Sequence, residues 1–471
     1  MKSKFYLFLA ISLMIFGINF LPISLAAVAN SEFGQIKFLQ LSDGVSAGSF
    51  ILPTFNSGYS ASLIDLGGDG QQEILLGAGS QSEPLVKILR SDGSLVNSFL
   101  AYDKKFVGGV KVAGCDFDGD GNGEILTSAG LGGSAHIRIF NSYGQPKINA
   151  GFFAFDQKQL TGAEIACVDI SGDKKDEIVA VGLENNKPVI KIFDSAGQLV
   201  KQQELDFKSD NVSLSAIDLG GDGIEEILVA GGRGNKPVVN IYRGDLSLVD
   251  KIFLTTENIV NGLSVWGADI DQDNQGEILV GQGVGGSPLI TVFGNGKIKN
   301  NLPVFSFDDN FLGGVKPMIG DINGDKKLEL ILLPQSLPTG RLDLYKYIDI
   351  DVSEQRFRYY QNGYLIDDVL TSTGKPSTPT RLGEFTAFSK YDMAYGGVDG
   401  QSWGMPYFIG FYKSGSLENG IHELPFLNGR REGATSLGRT VSHGCVRLGI
   451  GVAKEVYDWV EINKTKVIVH K

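Results

Sequence analysis

Short runs of alternating apolar and polar residues, separated by glycine-rich turns, fill most of the first 347 residues of the chain. Runs such as HIRIF, VIKIF, VVNIY and LITVF have a period of two, which is typical of half-buried strands. Each unit of about 50 residues contains about four such strands and no helical periodicity. The pattern therefore predicts an all-β fold. Corresponding strands end at Leu89, Phe140, Phe193, Tyr242, Phe293 and Tyr345.

Six copies of an acidic segment mark the period of this pattern. Their first aspartates are 51, 53, 49, 51 and 52 residues apart, and a period this regular indicates a repeat architecture. Four strands per unit is the size of a propeller blade, so we predict a six-bladed β-propeller over residues 31–347, with seven blades as the alternative. We expect residues 31–57 to supply strands to the first unit and RLDLYKY to close the array at Tyr347. The segments begin at Asp65, Asp116, Asp169, Asp218, Asp269 and Asp321.

The repeats resemble the FG-GAP (VCBS-type) repeats of integrin-α-like propellers, and their acidic segments resemble calcium loops. Carboxylates on alternate positions of a tight turn, joined by a glutamate at position nine, can converge on a hard cation. Structural calcium in the second and fifth loops is one expectation, and aspartates that only cap turns through Asx hydrogen bonds are the alternative. The oxygen donors of these two loops are Asp116, Asp118, Asp120, Asn122, Glu124, Asp269, Asp271, Asp273, Gln275 and Glu277.

The carboxy-terminal quarter of the chain concentrates the residues suited to nucleophilic catalysis. The chain has four histidines and three cysteines, and His422, His443 and Cys445 lie close together in sequence. A thiol becomes a useful nucleophile when a nearby imidazole takes its proton. Gly444 would let backbone N–H groups approach an oxyanion, and Arg447 would add positive charge or bind a carboxylate of the donor substrate.

The sequence SHGCVRL at residues 442–448, with His422 upstream, resembles the L,D-transpeptidase signature His-x(14 or more)-[Ser/Thr]-His-Gly-Cys-x-[Arg/Asn]. The resemblance begins near Tyr347, includes STGKPSTPTRLGEF, and covers about 125 residues. It implies a β-rich catalytic domain over residues 348–471 that acts on peptidoglycan stem peptides and requires no cofactor for catalysis. It also implies roles for the motif residues. These are the nucleophile Cys445, the general base His422, the supporting residues His443, Ser442 and Arg447, and oxyanion-hole amides from Gly444 and Cys445.

The sequence departs from the family pattern in two places. His422 lies 20 residues before Ser442, which predicts a loop insertion around LPFLNGRREGATSLGRT. Glu423 stands where serine or glycine is common. The group that orients the imidazole is therefore open, and a backbone carbonyl is one candidate.

The amino terminus has two early lysines and an apolar run from Phe5 to Leu25. With Ala27 and Ala29, it predicts a secretory signal over residues 1–29 that is cleaved after Ala29. The alternative is an N-terminal membrane anchor, because the apolar run is nearly long enough to span a bilayer. Either reading places the body of the protein outside the cytoplasm.

The three cysteines of an exported protein cannot all pair. Cys115 and Cys167 lie one and two residues before their repeat aspartates. Those positions face opposite sides of a strand, so we predict no disulfide between them and a free thiol at Cys445.

The net charge of −12 lies in the repeats, because residues from Ile348 onward carry 14 basic and 14 acidic side chains. No basic stripe indicates nucleic acid as a partner. The resemblance implies a transpeptidase that forms 3→3 cross-links between stem peptides through a cysteine thioester. Three alternatives stay open: an L,D-carboxypeptidase, a protein-to-peptidoglycan attachment enzyme, and a non-catalytic surface protein whose propeller binds a glycan or protein.

Overall fold

The computed structural model describes residues 35–40, 46–51, 58–148, 150–254, 262–286, 290–294, 297–300, 311–335, 340–341, 343–398, 401–415 and 417–471. The signal segment predicted at residues 1–29 lies outside them. Strands make up 52% of the protein and helices 3%, which confirms the all-β class. None of the helices within the described ranges has the length and apolar character needed to cross a bilayer.

Among the described residues, six four-stranded antiparallel sheets form the first part of the chain, and none of these six closes on itself. The first two strands are β1 (Gln35–Gln40) and β2 (Ser46–Ile51). The first sheet is β3 (Tyr59–Ile64), β4 (Glu73–Ala78), β5 (Leu85–Leu89) and β6 (Leu95–Leu100). The second is β7 (Val110–Cys115), β8 (Glu124–Ala129), β9 (His136–Phe140) and β10 (Phe152–Phe153). The third is β11 (Glu164–Val168), β12 (Glu177–Glu184), β13 (Lys187–Phe193) and β14 (Leu199–Glu204).

The remaining three sheets continue the same pattern. The fourth is β15 (Val212–Ile217), β16 (Glu226–Gly231), β17 (Val238–Tyr242) and β18 (Leu248–Phe253). The fifth is β19 (Leu263–Ala268), β20 (Glu277–Gln282), β21 (Ile290–Gly294) and β22 (Lys297–Asn300). The sixth combines β23 (Val315–Gly320) and β24 (Glu329–Pro334) with β1 and β2, in the order β2-β1-β24-β23.

The sixth sheet corrects two expectations. The strands of residues 31–57 were expected in the first unit, but Phe38 of β1 lies opposite Ile331 of β24. The segment RLDLYKY was expected to close the array, but Lys346 and Tyr347 belong to the first strand of the carboxy-terminal region. The physical reason is that β24 has an edge of unpaired backbone groups, and β1 satisfies it while burying Phe38.

A repeated backbone hydrogen bond links successive sheets. The N–H group seven residues after one segment's first aspartate donates to the carbonyl oxygen of the preceding segment's first aspartate. These bonds run from Gly123 to Asp65 (2.6 Å), from Asp176 to Asp116 (2.9 Å), from Glu225 to Asp169 (2.9 Å), from Gly276 to Asp218 (2.9 Å) and from Gln72 to Asp321 (2.8 Å). The last bond joins the first segment to the sixth, and β3 also contacts β23.

Cys115 and Cys167 form a disulfide with Cα atoms 5.5 Å apart, so the prediction that they do not pair is wrong. The rule of alternating faces compares residues of one strand, whereas these cysteines lie on β7 and β11 of neighbouring sheets. Where two neighbouring sheets meet, the residue directly before the first aspartate of one acidic segment faces the residue that lies two positions before the first aspartate of the next segment. Gly114 shows the same offset, because a Cβ added there would lie 2.8 Å from the Cβ of Ile64.

The carboxy-terminal region contains three further sheets, a short 3-10 helix and one α-helix. The five-stranded sheet has the order β27-β26-β25-β37-β29, and β28 pairs with β35. The six-stranded sheet has the order β34-β33-β31-β32-β36, with β30 on β31. The elements are β25 (Lys346–Asp351), β26 (Arg356–Gln361), β27 (Tyr364–Leu370), β28 (Thr373–Gly374), β29 (Gly383–Thr386), β30 (Ser389–Val398), β31 (Gln401–Ser414), β32 (Leu417–Glu423), β33 (Phe426–Leu427), β34 (Arg430–Arg431), the 3-10 helix Ala434–Ser436, β35 (Thr440–Ser442), β36 (Val446–Leu448), α1 (Val452–Trp459) and β37 (Lys466–His470).

A buried network of three polar side chains joins the repeat region to the carboxy-terminal region. Helix α1 packs Ala453 and Val456 into the carboxy-terminal core and directs Glu455 toward Arg233 of the repeats, with which it forms an ion pair. The Tyr359 hydroxyl accepts a hydrogen bond from Arg233 (2.9 Å) and donates one to Glu455 (2.6 Å). Removal of one partner from such a group leaves a buried charge uncompensated, so the network favours one fixed arrangement of the two parts.

Candidate active site

Two parallel strands bring the predicted catalytic side chains together. In the pairing of β32 with β36, His422 lies opposite Arg447, and Cys445 directly precedes β36. Paired residues of adjacent strands project from the same face, as do residues two apart along one strand. His422, Cys445 and Arg447 therefore share one face of the six-stranded sheet.

The His422 imidazole is almost fully buried, with 2% of its surface exposed. Its Nδ1 lies 2.6 Å from the backbone carbonyl oxygen of Glu423. A carbonyl only accepts hydrogen bonds, so Nδ1 carries the proton and Nε2 has the free lone pair. Burial, together with the nearby Arg447 charge, lowers the pKa of His422 to about 4, although the hydrogen bond to the Glu423 carbonyl acts in the opposite direction. The imidazole is therefore neutral near pH 7.

The Glu423 side chain fixes the position of the backbone directly after His422. Its buried carboxylate pairs with Arg431 of β34 and accepts a hydrogen bond of 2.8 Å from the N–H of Gly451, the residue before α1. Gly451 has a φ of 87°, a conformation that favours glycine. The sequence left the group that orients the imidazole open. In the structure it is the Glu423 carbonyl, and the Glu423 side chain anchors that position.

Cys445 carries the free thiol among the described cysteines. Burial raises its pKa, while the backbone N–H of Gly420 and the charge of Arg447 act in the opposite direction. The Cys445 sulfur lies 3.9 Å from Oδ1 of Asn419. Gly444 has a φ of 114°, and a Cβ there would lie 3.0 Å from the same Asn419 oxygen, which explains why glycine precedes the nucleophile.

Ser442 braces the turn that carries the thiol. Its hydroxyl donates to the Cys445 carbonyl (2.5 Å) and accepts from the Gly444 N–H (3.1 Å). The Gly444 N–H, which the sequence assigned to the oxyanion hole, is thus bonded to Ser442 in this structure.

Two cationic side chains lie beside the motif. Nη1 of Arg447 contacts both carboxylate oxygens of Glu432, at 2.9 and 2.8 Å, and the guanidinium packs over the Trp403 ring. The ammonium of Lys375 lies 3.0 Å from Nε2 of His443. The sequence motifs did not single out Lys375, Trp403 or Glu432. Lys375 lies in the quoted segment STGKPSTPTRLGEF and Glu432 in LPFLNGRREGATSLGRT, but neither segment marks the individual residue.

Comparison with known proteins gives a family match for the carboxy-terminal part of the chain. Residues 345–469 match the YkuD family model, which describes the L,D-transpeptidase catalytic domain. The carboxy-terminal part of the chain is an L,D-transpeptidase catalytic domain. Among curated proteins, none matches the chain.

Solved L,D-transpeptidases are similar to the catalytic domain. The Stackebrandtia nassauensis enzyme is 21% identical with a TM-score of 0.22, over 27% of this chain and 55% of that one. The catalytic domain of the Enterococcus faecium enzyme is 26% identical with a TM-score of 0.21, over 26% and 96%. L,D-transpeptidase 3 of Mycobacterium tuberculosis, in complex with a faropenem-derived adduct, is 19% identical with a TM-score of 0.23, over 31% and 75%. This chain spans about half the length of the first solved relatives.

Outside the catalytic domain, the second acidic loop brings Asp116, Asp118 and Glu124 within 4.8 Å of one another. The Lys147 ammonium contacts Asp118 at 3.2 Å and also pairs with Glu124. It therefore supplies positive charge where a cation would lie. Asp120 instead accepts a hydrogen bond from the Asn122 N–H (2.8 Å).

The fifth loop brings Asp269, Asp271 and Asp273 together within the same limit. Asp269 accepts N–H bonds from Asp273 (3.1 Å) and Asn274 (2.9 Å) of its own turn, as a turn cap would. The other two predicted donors have local contacts. The Gln275 N–H donates to Asp273 (2.8 Å) and Glu277 accepts from the Ile270 N–H (3.0 Å). Three converging carboxylates suit a hard cation, and the fifth loop presents them as the second does.

We expect calcium to raise the melting temperature of the protein through the fifth loop. A ligand that binds only the folded state stabilises it by about 2.7 kcal/mol at 100 times its dissociation constant. Asp271→Asn should reduce the difference between melts with calcium and with chelator, whereas Asp118→Asn should change it little because Lys147 neutralises that loop. Lys147→Met removes that ammonium and should increase the difference between the melting temperatures with calcium and with chelator. Identical melts of the wild type in both buffers would show that these aspartates only cap turns.

Proposed function

We propose that this protein is an exported enzyme that joins peptidoglycan stem peptides through a thioester on Cys445. The observation that carries the proposal is the placement of His422 and Cys445 on one face of paired strands, with Nδ1 of His422 held by the Glu423 carbonyl. This leaves Nε2 to act as the base. The match of residues 345–469 to the catalytic domain family supports the same reaction class.

In the acylation step, Nε2 of His422 takes the proton of the Cys445 thiol. The sulfur attacks the carbonyl carbon of the third residue of a donor stem, and the amide bond to the terminal D-alanine breaks. The departing amine takes the proton from His422. Because the His422 pKa is lowered and the Cys445 pKa is raised, both groups are neutral at rest. The proton therefore moves as the substrate is attacked.

In the second step, an amine attacks the thioester and releases the thiol. The side-chain amine of the third residue of another stem gives a 3→3 cross-link, and this is the acceptor we propose. Water would instead make the enzyme an L,D-carboxypeptidase, and a protein lysine would make it a protein attachment enzyme. Both steps use the thiol and the imidazole and require no cofactor.

We further propose that the six sheets form a six-bladed FG-GAP-like propeller. The pairing of β1 with β24 supports this, because it joins the start of the repeats to their end. The bond from Gln72 to Asp321 repeats between the first and sixth segments the bond found between earlier neighbours. The Arg233–Tyr359–Glu455 contacts support a role as a rigid base for the catalytic domain. Binding of a glycan or protein at the cell surface is the alternative role.

Export to the cell envelope is supported by the Cys115–Cys167 disulfide. Disulfides form and persist in oxidising compartments and are rare in the cytosol. Peptidoglycan, the proposed substrate, also lies in the cell envelope.

The function is tested by incubating the purified protein with disaccharide tetrapeptides and analysing the products by mass spectrometry. We expect dimers that have lost one D-alanine. Tripeptide monomers would indicate water as the acceptor, and tripeptide linked to a supplied lysine-bearing protein would indicate attachment. The absence of D-alanine release from any donor would contradict the proposed reaction.

A further inference from the structure

The donor substrate of the proposed reaction ends in a free carboxylate, and Arg447 was the residue that the sequence offered to bind it. In the structure, the Arg447 guanidinium is 4% exposed, contacts both oxygens of Glu432 and packs over Trp403. Its charge is therefore already balanced within the protein. Its Nε has no hydrogen-bond partner among the described residues but is buried with the rest of the side chain, so a more accessible cation is better placed to meet the donor carboxylate.

Lys375 is held against the residues that precede the nucleophile by three sets of contacts. Strand β28 pairs in parallel with β35, with Gly374 opposite Ser442. The Lys375 N–H then donates to the Ser442 carbonyl (2.9 Å), and its ammonium lies 3.0 Å from Nε2 of His443. The side chain is therefore fixed against the two residues that precede Gly444 and Cys445.

The hydrogen bonding of Lys375 leaves capacity for a ligand. An ammonium has three N–H donors and no acceptor, so Nε2 of His443 accepts this bond. In the described part of the chain, His443 takes one donor of Lys375, which leaves two. Lys375 is half-buried rather than enclosed. A carboxylate that approached Cys445 would reach it without breaking an existing ion pair.

We propose that Lys375, steadied by His443, binds the free α-carboxylate of the leaving D-amino acid, and so restricts the enzyme to donor peptides that end one residue after the scissile carbonyl. This inference rests on the proposed function. One residue spans at most about 3.6 Å, so the carboxylate must bind close to the nucleophile. Lys375 reaches that region through His443, two residues before Cys445. A hydrogen bond between an ammonium and a carboxylate is stronger than a neutral one.

The test compares two donors that differ only in charge: a tetrapeptide stem that ends in D-alanine and the same stem that ends in D-alaninamide. The rate at which the terminal residue is released, measured over a range of donor concentrations, gives kcat/KM for each donor. We expect the wild type to prefer the carboxylate donor about 10- to 100-fold, the range expected of one charged hydrogen bond. Lys375→Met should lose most of this preference by slowing the carboxylate donor, with the amide donor changed less than about threefold. Lys375→Arg should retain part of it.

Lys466→Met is the matched control, because it removes one exposed ammonium from β37 in the five-stranded sheet. It should leave the preference intact. An equal loss on both donors in Lys375→Met would overturn the inference and assign Lys375 to holding His443 in place. An unchanged preference in Lys375→Met would also overturn it. If the wild type released nothing from either donor, the proposed function would fail together with the inference, whereas equal release from both donors would leave the function standing and refute only the role of Lys375.

Discussion

Replacement of Cys445 with alanine should abolish release of D-alanine from tetrapeptide donors, by roughly 10⁴-fold or more, since loss of a catalytic nucleophile has effects of that order. Cys115 and Cys167 are joined in a disulfide, so neither supplies a substitute thiol. The half-buried side chain loses one sulfur atom, and we expect the fold to survive. The melting temperature checks that the fold survives, and mass spectrometry of the products checks that D-alanine is no longer released.

A carbapenem gives a direct readout of the same residue. Attack of the Cys445 thiolate on the strained β-lactam carbonyl opens the ring and leaves a thioester, with no atom lost. Intact-mass spectrometry should therefore show one drug adduct per wild-type chain and none on Cys445→Ala. Cys445→Ser is a control that keeps a nucleophile of similar size but lower reactivity. An adduct on Cys445→Ala, or turnover by it, would end the thiol mechanism.

The predicted catalytic residues lie in sequence segments that are neighbours in the fold. His422 of β32 pairs with Arg447 of β36, and Cys445 directly precedes β36, so a signature read from a short stretch of sequence places these three positions near one another. The partners that fix those residues come from elsewhere. Lys375 reaches His443 through the pairing of β28 with β35, and Glu432, which contacts Arg447, comes from the segment that directly follows β34. No periodicity in the sequence marks such contacts.

The fold shows the same division between local and distant information. Strand spacing predicted four-stranded units because alternation is a property of each strand. The membership of β1 in the sixth sheet depends on an unpaired edge almost the whole repeat region away in sequence. The Cys115–Cys167 disulfide depends on how two sheets face each other. Both are properties of packing between sheets, which the alternation within one strand does not contain.

Replacement of His422 with glutamine should lower kcat/KM for acylation by about 10² to 10⁴-fold, the usual contribution of general-base assistance. Glutamine is chosen because His422 is 2% exposed, and an amide of similar length fills the space and donates to the Glu423 carbonyl. The matched control is His443→Gln, which removes the partner of Lys375 but not the base, and should cost less. A larger loss in the His443 variant would mean that the base has been assigned to the wrong histidine.

The pH dependence of carbapenem acylation separates loss of the base from a structural effect. The pKa of His422 is lowered to about 4, so its neutral, proton-accepting form persists as the pH falls below 7. The wild-type rate should therefore hold from pH 7 to about 5 and decline toward pH 4 as the imidazole gains a proton. Without the imidazole, the rate must follow the fraction of free thiolate. Burial raises the pKa of Cys445, so the rate of His422→Gln should rise about tenfold per pH unit from pH 5 to 8. Parallel profiles in the two proteins would show that His422 does not take the thiol proton.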